Sequence, residues 1–228
     1  MHLNDRHTKA DEPNLITDES ELAEREAVNA VNQFDIVLNL IDDVARTGHP
    51  FRLRVTTILS LHEAALTGID SRAGAFRQGP VAIEKSQHRP PEAHMVGILV
   101  EEMCDWVNEN FLSRSALFLC AYVMWRLNWI HPFTDGNGRT SRAIAYLILC
   151  ARLGDRLPGR NTVPEQIAAN RTPYYNALEA ADAGEKAGVP DLSALEGLLK
   201  EQLAIQLRDA WEAAQSAADI DPATRRFH

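Results

Sequence analysis

One run of twelve residues, His131-Pro-Phe-Thr-Asp-Gly-Asn-Gly-Arg-Thr-Ser-Arg142, most constrains how this chain of 228 residues can fold. The run combines a histidine, a carboxylate, a Gly-Asn-Gly turn and two arginines, and apolar segments flank it at Ala116–Ile130 and Ala143–Leu153. Apolar segments of this length predict two buried helices. The polar run is therefore predicted to be a loop between rigid supports, where chemical groups can be positioned accurately.

The histidine lies where the first of these helices is expected to end. A residue that precedes proline is disfavoured in helical conformation, so the helix that carries Trp125 and Trp129 should stop near His131. We expect the imidazole to face a cleft from this helix exit. Because the ordinary pKa of histidine is close to neutral, His131 suits the role of general base. Phe133 is expected to be a buried anchor for the loop.

The second half of the run predicts a phosphate site at the start of the next helix. Gly136 and Gly138 permit backbone angles that other residues resist, so successive N–H groups can converge on an anion there. Arg139 and Arg142 are three residues apart and share one face of the first helical turn. Two cations at a helix N-terminus are unfavourable for the helix dipole, which indicates that a polyphosphate compensates them.

A carboxylate completes the chemistry that the run predicts. Asp135 immediately precedes the glycines, and a carboxylate beside phosphates is a natural ligand of Mg²⁺, with phosphate and water oxygens as the other ligands. A base, a metal carboxylate, a backbone anion cradle and two arginines together suit the attack of a hydroxyl on a nucleotide phosphate.

The run resembles the signature of the Fic (Fic/Doc) family, His-Pro-Phe-x-(Asp/Glu)-Gly-Asn-Gly-Arg-x-x-Arg, and matches all nine fixed positions. The resemblance implies an all-α Fic fold, a helical bundle with a small β-hairpin flap beside the active-site loop. It also implies a protein adenylyltransferase, which transfers AMP from ATP to a Ser, Thr or Tyr hydroxyl of a target protein or of the enzyme itself. The cofactor that the resemblance implies is Mg²⁺.

The resemblance also assigns a role to each matched position. It implies that His131 deprotonates the target hydroxyl and that Asp135 binds Mg²⁺. It places the phosphates against Gly136, Asn137 and Gly138, the triphosphate against Arg139, and the terminal phosphates or an inhibitory glutamate against Arg142. Doc-type kinases differ in the glycine segment. This chain keeps both glycines, which favours AMP transfer over phosphorylation.

A second resemblance to the family lies upstream of the motif, in a stretch rich in glycine and proline. Ala73–Arg77, Val81–Ile83 and Ser86–Pro91 resemble the family's flap. Apolar residues alternate with small neighbours there, which predicts a short strand. In the family the flap pairs with the target's backbone, so Val81, Ala82 and Ile83 are expected to dock a protein substrate by strand addition. His88 is expected to have a conformational role in this stretch.

Downstream, Thr162–Ile167 and Arg171–Leu178 resemble the segments that close the family's nucleotide pocket. Tyr174 or Tyr175 is expected to lie against the adenine or the ribose, and the sequence does not choose between them. His62 precedes a glutamate as in a His-Glu-x-x-His zinc site, but a leucine replaces the second histidine. His62 is therefore predicted to be structural or solvent-facing.

Many Fic proteins carry an inhibitory motif, Ser/Thr-x-x-x-Glu-Gly/Asn, whose glutamate pairs with the second motif arginine. Ser20–Glu24 fits its first five positions, but Arg25 replaces the glycine or asparagine, and Ser193–Gly197 is one residue too short. Glu24 is the candidate inhibitory residue. The alternatives are that the element is absent or that a partner protein supplies it.

The remaining sequence indicates one helical domain. Residues 1–16 are predicted to be loose, 17–217 to form a single Fic domain with helical extensions, and 218–228 to be a flexible tail. Helices are predicted at about 17–46, 51–66, 92–110 and 113–130, and another follows the motif. Two shorter helices are predicted to begin at Thr162, with Glu165 in a capping box, and at Thr172. A last helix is predicted to be capped by Asp191.

Composition restricts the partners and the compartment. The net charge of −9 argues against nonspecific nucleic-acid binding, and no apolar run reaches the length of a membrane span. The N-terminus has no signal-peptide pattern, and Cys104, Cys120 and Cys150 lie in apolar helical segments without a Cys-x-x-Cys spacing. A cytoplasmic protein with free buried thiols is expected. The oligomeric state, including a homodimer, is left open.

Other functions compatible with the same residues stay open at this stage. Within enzymes they are the transfer of UMP, phosphocholine or another group, and the removal of AMP. A different class is a regulatory or toxin-type protein that binds a nucleotide without turnover. The presence of both His131 and Asp135 argues against that class.

Overall fold

The computed structural model describes residues 8–9, 15–84 and 86–220 of the chain, with side chains for 15–84 and 86–217. Within these ranges the regular secondary structure is almost entirely helical, which confirms the predicted all-α class. The helices are α1 (Glu19–Thr47), α2 (Val55–Leu66), α3 (Val96–Asn110), α4 (Ala116–Ile130), α5 (Asn137–Leu153), α6 (Val163–Ala169), α7 (Thr172–Lys186) and α8 (Ser193–Ile220), with a 3₁₀ turn at Ala93–Met95. Two short strands, β1 (Thr8–Lys9) and β2 (Ala82–Ile83), form an antiparallel pair.

The two helices that flank the motif form the centre of the molecule, as the sequence predicts. Helices α4 and α5 pack along each other, α1 and α2 cover α5, and α3, α7 and α8 cover α4. Every residue from 140 to 151 of α5 is buried, so this helix contacts protein on all sides. Full burial of one large apolar side chain contributes roughly 1.5–3 kcal/mol, so α5 is a stable base for the motif at its N-terminus.

Most helix ends lie within a few residues of the predicted ones, because local chemistry sets them. The capping box of α6 is present, with Glu165 accepting from the backbone and hydroxyl of Thr162 at 2.8 Å each. Asp18 caps α1 by accepting from the Glu21 N–H. Thr172 is already the first residue of α7, because the backbone of Arg171 is itself helical.

The flap segment contains one strand, and its partner comes from the N-terminal segment rather than from a second strand of a hairpin. Thr8 is in register with Ile83 and Lys9 with Ala82. Farther along, Leu15 donates its N–H to Ile69 O at 3.0 Å, and Ile16 is buried. Residues 8–9 and 15–16 of the predicted loose segment are thus placed on the helical domain.

At the other end of the chain, α8 extends to Ile220, and residues 221–228 of the predicted tail lie outside the described residues. Among the helices that the structure describes, none is both apolar and long enough to cross a membrane. The division into a single domain over 17–217 stays a prediction.

Candidate active site

The backbone of His131 has a conformation that is rare for a residue with a side chain. Helix α4 ends at Ile130, as the following proline predicts, and His131 has φ 51° and ψ 59°. Within the described ranges it is the one residue other than glycine with a positive φ. The left-handed conformation costs roughly 1–2 kcal/mol for such a residue. The His131 N–H donates to Leu127 O at 2.9 Å, and this hydrogen bond at the end of α4 stabilises the strained conformation.

Arg77 at the base of the flap also holds His131 in place. This arginine is 2% exposed, and its Nε donates to His131 O at 2.7 Å while its backbone N–H donates to Pro132 O at 2.9 Å. Its other guanidinium nitrogens donate to the carbonyls of Gly79, Pro91 and Ile130. The flap and the motif loop are therefore joined through one buried cation, which the sequence analysis included only as part of the flap.

The hydrogen bond of the His131 ring indicates which nitrogen can act as the base. Its Nδ1 lies 3.2 Å from Asn128 O, and a carbonyl only accepts, so Nδ1 carries the proton. In the neutral ring the lone pair is then on Nε2, which is the arrangement that a general base needs. His131 is only 6% exposed, so its ring is more enclosed than the sequence suggests.

Asn128 belongs to a polar network behind the histidine that the sequence analysis missed. Its Nδ2 donates to Ser141 Oγ at 2.9 Å and to Tyr174 Oη at 2.8 Å, and these two oxygens lie 3.1 Å apart. The network joins α4, α5 and α7 directly behind the motif. These bonds fix the orientation of the Asn128 side chain, while His131 is contacted by the backbone carbonyl of the same residue.

His62 supports the centre of the loop and is structural, not solvent-facing. Its ring is fully buried and stacks on the buried Phe133 with centroids 3.6 Å apart. The Gly74 N–H donates to His62 Nδ1 at 3.0 Å, so His62 Nε2 carries the proton and donates to Asp135 O at 3.0 Å. Burial lowers the pKa of His62 to about 4, against the opposing effects of its bond to Asp135 and of the Asp70 charge. The ring is therefore neutral near pH 7.

Asn137 closes the loop with its side chain. Its Nδ2 donates to Phe133 O at 2.9 Å and its Oδ1 accepts from Phe133 N at 3.0 Å. The side chain is buried and fully used by these bonds. Asn137 can therefore contribute to a phosphate cradle through its backbone N–H, while its amide shapes the turn.

The two glycines of the motif are needed for different reasons. Gly136 has φ 74°, and a Cβ there would lie 2.5 Å from Leu66 Cδ2. Gly138 does not have a positive φ. It lies in the first turn of α5, where a Cβ would come within 3.3 Å of Arg142 Nη1. The expectation of unusual backbone angles is thus met at Gly136 only, and Gly138 provides space next to the guanidinium.

The N-terminus of α5, which begins directly after Gly136, presents backbone N–H donors. The first intrahelical bond runs from Thr140 N to Gly136 O, so the N–H groups of residues 137–139 precede the helical ladder. A helix N-terminus with such N–H groups is an anion site in many proteins. These N–H groups lie where the phosphate cradle is predicted, and their role in binding phosphate stays a prediction.

The two arginines of the motif have very different surroundings. Arg139 is partly exposed and forms ion pairs with Glu26 at 2.7 Å and with Asp135 at 2.6 Å. Arg142 is 9% exposed and has no carboxylate partner among the described residues. Burial, the largest effect, lowers the pKa of Arg142, and the neighbouring Tyr174 raises it. A buried cation without a counter-ion is costly, and an anion bound beside it would relieve that cost.

A cavity of about 290 Å³ opens beside these arginines, between α1, α5 and α6. Its walls are largely apolar and include Phe34, Val37 and Ala143, while Glu26, Arg139 and Arg142 line one part of it. His131 does not line this cavity. The cavity therefore lies at the arginine end of the motif rather than at the histidine end.

Asp135 has no group of metal-ligating side chains around it among the described residues, so a metal ion there would need ligands from a bound molecule or water. Its side chain is half exposed, and one oxygen is paired with Arg139. No three metal-ligating side chains come together in the described part of the chain. A single carboxylate beside a phosphate cradle fits Mg²⁺, because this ion usually keeps several waters and binds phosphate oxygens.

The other predicted site residues differ in accessibility. Tyr174 is fully buried and Tyr175 is partly exposed, so Tyr175 has more surface to offer a nucleotide base. Glu24 is exposed and forms no ion pair with Arg142 within the described ranges. Ala82 and Ile83 form β2, and Val81 immediately precedes it. The roles assigned to these residues stay predictions.

Residues 48–149 match the model of one family, which is described as the Fic/DOC family. Among curated proteins, a protein adenylyltransferase Fic of Drosophila willistoni is 30% identical over 159 residues, which is 69% of this chain and 30% of the relative. The protein adenylyltransferase fic-1 of Caenorhabditis briggsae is 28% identical over 161 residues, again 69% of this chain and 30% of the relative. The chain thus spans less than a third of the length of these relatives.

Comparison with solved structures concerns the fold. A Fic-1 segment (residues 134–508) from C. elegans superposes with a TM-score of 0.64 at 24% identity, over 83% of this chain and 52% of that one. A Fic domain containing signaling protein from Bacteroides thetaiotaomicron superposes with a TM-score of 0.60 at 19% identity, over 81% of this chain and 73% of that one. The helical arrangement described above is therefore the Fic fold.

Proposed function

We propose that this chain, whose residues 48–149 match the model of the Fic/DOC family, transfers AMP from ATP to a hydroxyl side chain of a protein. The observation that carries the proposal is the buried Arg142, which has no carboxylate partner among the described residues and lies on the helix whose first N–H groups are not used by the helical ladder. This end of the site is electrostatically incomplete until an anion binds. A triphosphate has the charge and the length to reach Arg139 and Arg142 together.

In the proposed reaction the target's hydroxyl oxygen attacks the α-phosphorus of ATP. The new bond joins that oxygen to phosphorus, the bond to the bridging oxygen of the β-phosphate breaks, and pyrophosphate leaves with the electron pair. His131 Nε2 takes the hydroxyl proton, since its Nδ1 is committed to Asn128 O. Arg139 and Arg142 hold the departing phosphates, and the first N–H groups of α5 orient the α-phosphate. Mg²⁺ at Asp135, when bound, offsets phosphate charge.

The flap is proposed to supply the docking strand for the target. Its two ends are attached to residues next to His131, through Arg77 to His131 O and through His88 Nε2, 2.7 Å from Trp129 O. The second contact supports the conformational role predicted for His88. A strand held at both ends keeps a fixed distance from the histidine. Backbone pairing with β2 would then bring a target hydroxyl to a reproducible position without requiring a particular target sequence.

Control of Arg142 by an acidic residue is a separate part of the proposal. The cavity beside Arg142 has apolar walls and cations in one part, so it suits an apolar segment that carries a carboxylate, supplied by an inhibitory partner. Such a partner should reduce AMP transfer. Its effect should disappear in Phe34→Glu, which places a like charge in the apolar wall, and a partner that inhibits this variant equally would rule out the cavity as its site.

We place the reaction in the cytoplasm as a further part of the proposal. Cys104, Cys120 and Cys150 are buried and free, as the sequence predicts. Burial raises the pKa of Cys104 to about 12, so this thiol is unreactive at neutral pH. Free structural thiols suit a reducing compartment. A fluorescent fusion that is exported from the cytoplasm would remove this part of the proposal.

The experiment that tests the function is a panel of donors incubated with the full chain and a cell lysate. ATP, UTP and CDP-choline, each labelled on the group that would be transferred, are compared, and the modified proteins are analysed by mass spectrometry. Label from ATP with the mass of one adenylyl group supports the proposal. Label from UTP or CDP-choline alone assigns the transfer of UMP or phosphocholine instead.

Two further outcomes of the same panel assign the remaining alternatives. Release of AMP from proteins labelled beforehand, without new labelling, assigns AMP removal. Binding of ATP without transfer to any protein assigns a regulatory or toxin-type protein that binds the nucleotide without turnover.

A further inference from the structure

Residues 66–74, the turn that joins α2 to the flap, lie against the motif loop on both sides of Asp135. Just before Asp135, Thr134 Oγ1 donates to Asp70 Oδ2 at 2.9 Å. Just after it, the backbone of Gly136 is so near that a Cβ there would lie 2.5 Å from the leucine side chain at the start of this turn. The residue that carries the predicted metal carboxylate is thus placed between two neighbours that pack against the same turn.

Asp70 is itself held by several hydrogen bonds. Its Oδ1 accepts from the Arg72 N–H at 2.8 Å, and its own N–H donates to Leu66 O at 3.1 Å. Its backbone carbonyl accepts from the Ala73 N–H at 3.2 Å. Because both carboxylate oxygens and both backbone groups are bonded, the hydroxyl of Thr134 is attached to a fixed point.

The side chain of Asp135 depends on its backbone for support. Among the described residues it forms one ion pair, with Arg139 at 2.6 Å, and it is half exposed. In the proposed reaction Arg139 turns to the phosphates, and the position of the carboxylate then follows from how the loop backbone is held. The bond of Thr134 to Asp70 is one such restraint. The bond from His62 to the Asp135 carbonyl is another.

We propose that Asp70 is a positioning residue, which acts through Thr134 to hold the carboxylate of Asp135 in the position proposed to bind Mg²⁺. This inference rests on the proposed function and adds to the same site a residue from outside the twelve-residue motif. The geometry assigns the effect to the hydrogen bonds of Asp70 rather than to its charge, because both of its oxygens accept from protein donors. Groups that orient a metal ligand in this way typically change metal affinity by roughly 10- to 100-fold.

Nucleotide binding with and without the metal ion tests the proposal. The ligand is an ATP analogue with a methylene group between the α- and β-phosphates, which binds without AMP transfer, and it is titrated calorimetrically into the full chain in excess Mg²⁺ and in EDTA. The ratio of the two dissociation constants measures the contribution of the metal ion. Thr134→Val, which removes the hydroxyl at nearly constant shape, should reduce this ratio by roughly tenfold. Binding in EDTA should not change, because Arg139 and Arg142 remain.

Conservative variants separate the hydrogen bond from the charge and from the turn. Thr134→Ser keeps the hydroxyl and should retain the native ratio. In Asp70→Asn the amide oxygen can accept from the Arg72 N–H and the amide nitrogen can donate to the Thr134 hydroxyl, so this variant should also retain it. Thr67→Val is the matched control, because its hydroxyl lies in the same turn but donates to Glu63 O at 2.7 Å. It should leave both dissociation constants unchanged.

A double-variant cycle tests whether Asp70 acts through Thr134. In Asp70→Ala the threonine has lost its partner, so the addition of Thr134→Val should reduce the ratio no further. An undiminished effect of Thr134→Val in this background would show that the two residues act independently, and a loss in Asp70→Asn as large as in Asp70→Ala would assign the effect to charge. Either result overturns the inference, as does equal weakening of binding in Mg²⁺ and in EDTA by Thr134→Val. If Asp70→Ala fails to fold in urea unfolding, the Thr134 variants and Asp70→Asn still decide.

AMP transfer to lysate proteins separates this inference from the function itself. Transfer by the native chain, together with a native binding ratio in Thr134→Val, overturns the inference and leaves the function standing. Absence of AMP transfer to any acceptor overturns the function, while the binding ratios still decide the role of Asp70. Equal binding of the analogue by the native chain in Mg²⁺ and in EDTA overturns the inference whatever the transfer assay shows.

Discussion

The two ends of the motif loop contrast in how their polar groups are satisfied. At the histidine end, the backbone carbonyl of His131 accepts from Arg77, its Nδ1 donates to Asn128, and Asn137 closes the loop with both of its amide atoms. At the arginine end, Arg142 is buried with no carboxylate partner within the described ranges, and the Thr140 hydroxyl is a buried group without a hydrogen bond. The polar groups of the histidine end have their partners within the protein, whereas Arg142 and the Thr140 hydroxyl at the arginine end do not within the described ranges.

This difference indicates how the site divides its tasks. Groups that must keep a fixed geometry are held by protein contacts alone, so the base is positioned before any substrate arrives. Arg142, which is proposed to bind phosphates, has no carboxylate partner among the described residues, so part of the binding energy of an anion would be used to relieve its uncompensated charge. Each of the following predictions changes one end and should leave the other end intact.

The largest effect is expected from removal of the base at the histidine end. His131→Ala should reduce AMP transfer by roughly 100- to 10,000-fold, because general-base catalysis contributes about that factor. ATP affinity should change little, since Arg139 and Arg142 remain. Transfer rates and nucleotide binding, measured separately, check both statements.

The positive φ of His131 requires a matched control for that variant. Asparagine tolerates the left-handed conformation better than alanine, so His131→Asn should lose the same activity with less loss of stability. His94→Ala, at an exposed histidine of the 3₁₀ turn, should leave transfer unchanged. Full activity of His131→Asn would show that this residue positions the loop and is not the base.

The second effect concerns pH and acts through His62. The pKa of His62 is about 4 in the folded protein and 6.5 in its ordinary state, so the unfolded chain binds the extra proton first. Stability is therefore complete above about pH 6.5 and is lost as the pH falls toward 4, by roughly 1.4 kcal/mol per pH unit and about 3 kcal/mol in all. Urea unfolding between pH 7 and 4.5 measures this loss.

The control for His62 removes the titrating ring but keeps a polar side chain. His62→Gln should be less stable than the native chain at pH 7, because the stack on Phe133 is lost. Its stability should depend less steeply on pH between 6.5 and 4.5. Parallel curves for the two proteins would assign the acid sensitivity to other groups.

The first two predictions concern residues that the sequence reveals to different degrees. The exit of α4 at His131 follows from the proline after it, and the α6 capping box follows from two residues three positions apart; both are local rules. The buried contacts of His62 with Phe133 and of Arg77 with His131 join residues far apart in the chain. Packing decides such contacts, and no periodicity signals them.

The pairing of β1 with β2 was hidden for another reason. Thr8–Lys9 is too short to show an alternation of apolar and polar residues and had no strand signal, while the flap was recognised by its resemblance to the family and by the alternation at Val81–Ile83. The contact of Glu26 with Arg139 also depends on how α1 lies across α5. The chemistry of the motif could be predicted, but its supports could not.

The third effect belongs to the arginine end. Arg142→Gln should weaken ATP binding by roughly 10- to 100-fold, because a hydrogen bond to a charged group contributes about 1.5–3 kcal/mol. Stability in the absence of nucleotide should not fall, and a rise would agree with the removal of an uncompensated buried charge. Calorimetric ATP titration and urea unfolding measure the two quantities.

Opposite signs for affinity and stability distinguish a binding residue from a structural one. A structural arginine would lose stability and affinity together on substitution. Arg77→Gln is the matched comparison, because that buried guanidinium donates to several carbonyls. It should lose several kcal/mol of stability, of the order expected when hydrogen bonds of a buried charge are removed. If Arg142→Gln behaved in the same way, the contrast between the two ends would be wrong.

The smallest effect is expected from the ion pair of Glu26 with Arg139 at the arginine end. The carboxylate of Glu26 neutralises part of the charge that a triphosphate would use, so Glu26→Gln should tighten ATP binding. Partly exposed pairs contribute roughly 0.2–1 kcal/mol, which limits the gain to a few-fold. Glu24→Gln is the matched control, since it removes the same charge one half-turn away on α1. Equal gains in both variants would indicate a general effect of net charge, and a gain in Glu24→Gln alone would make Glu24 the inhibitory carboxylate. Tighter ATP binding in Glu26→Gln alone would show that the ion pair with Glu26 competes with the nucleotide for Arg139.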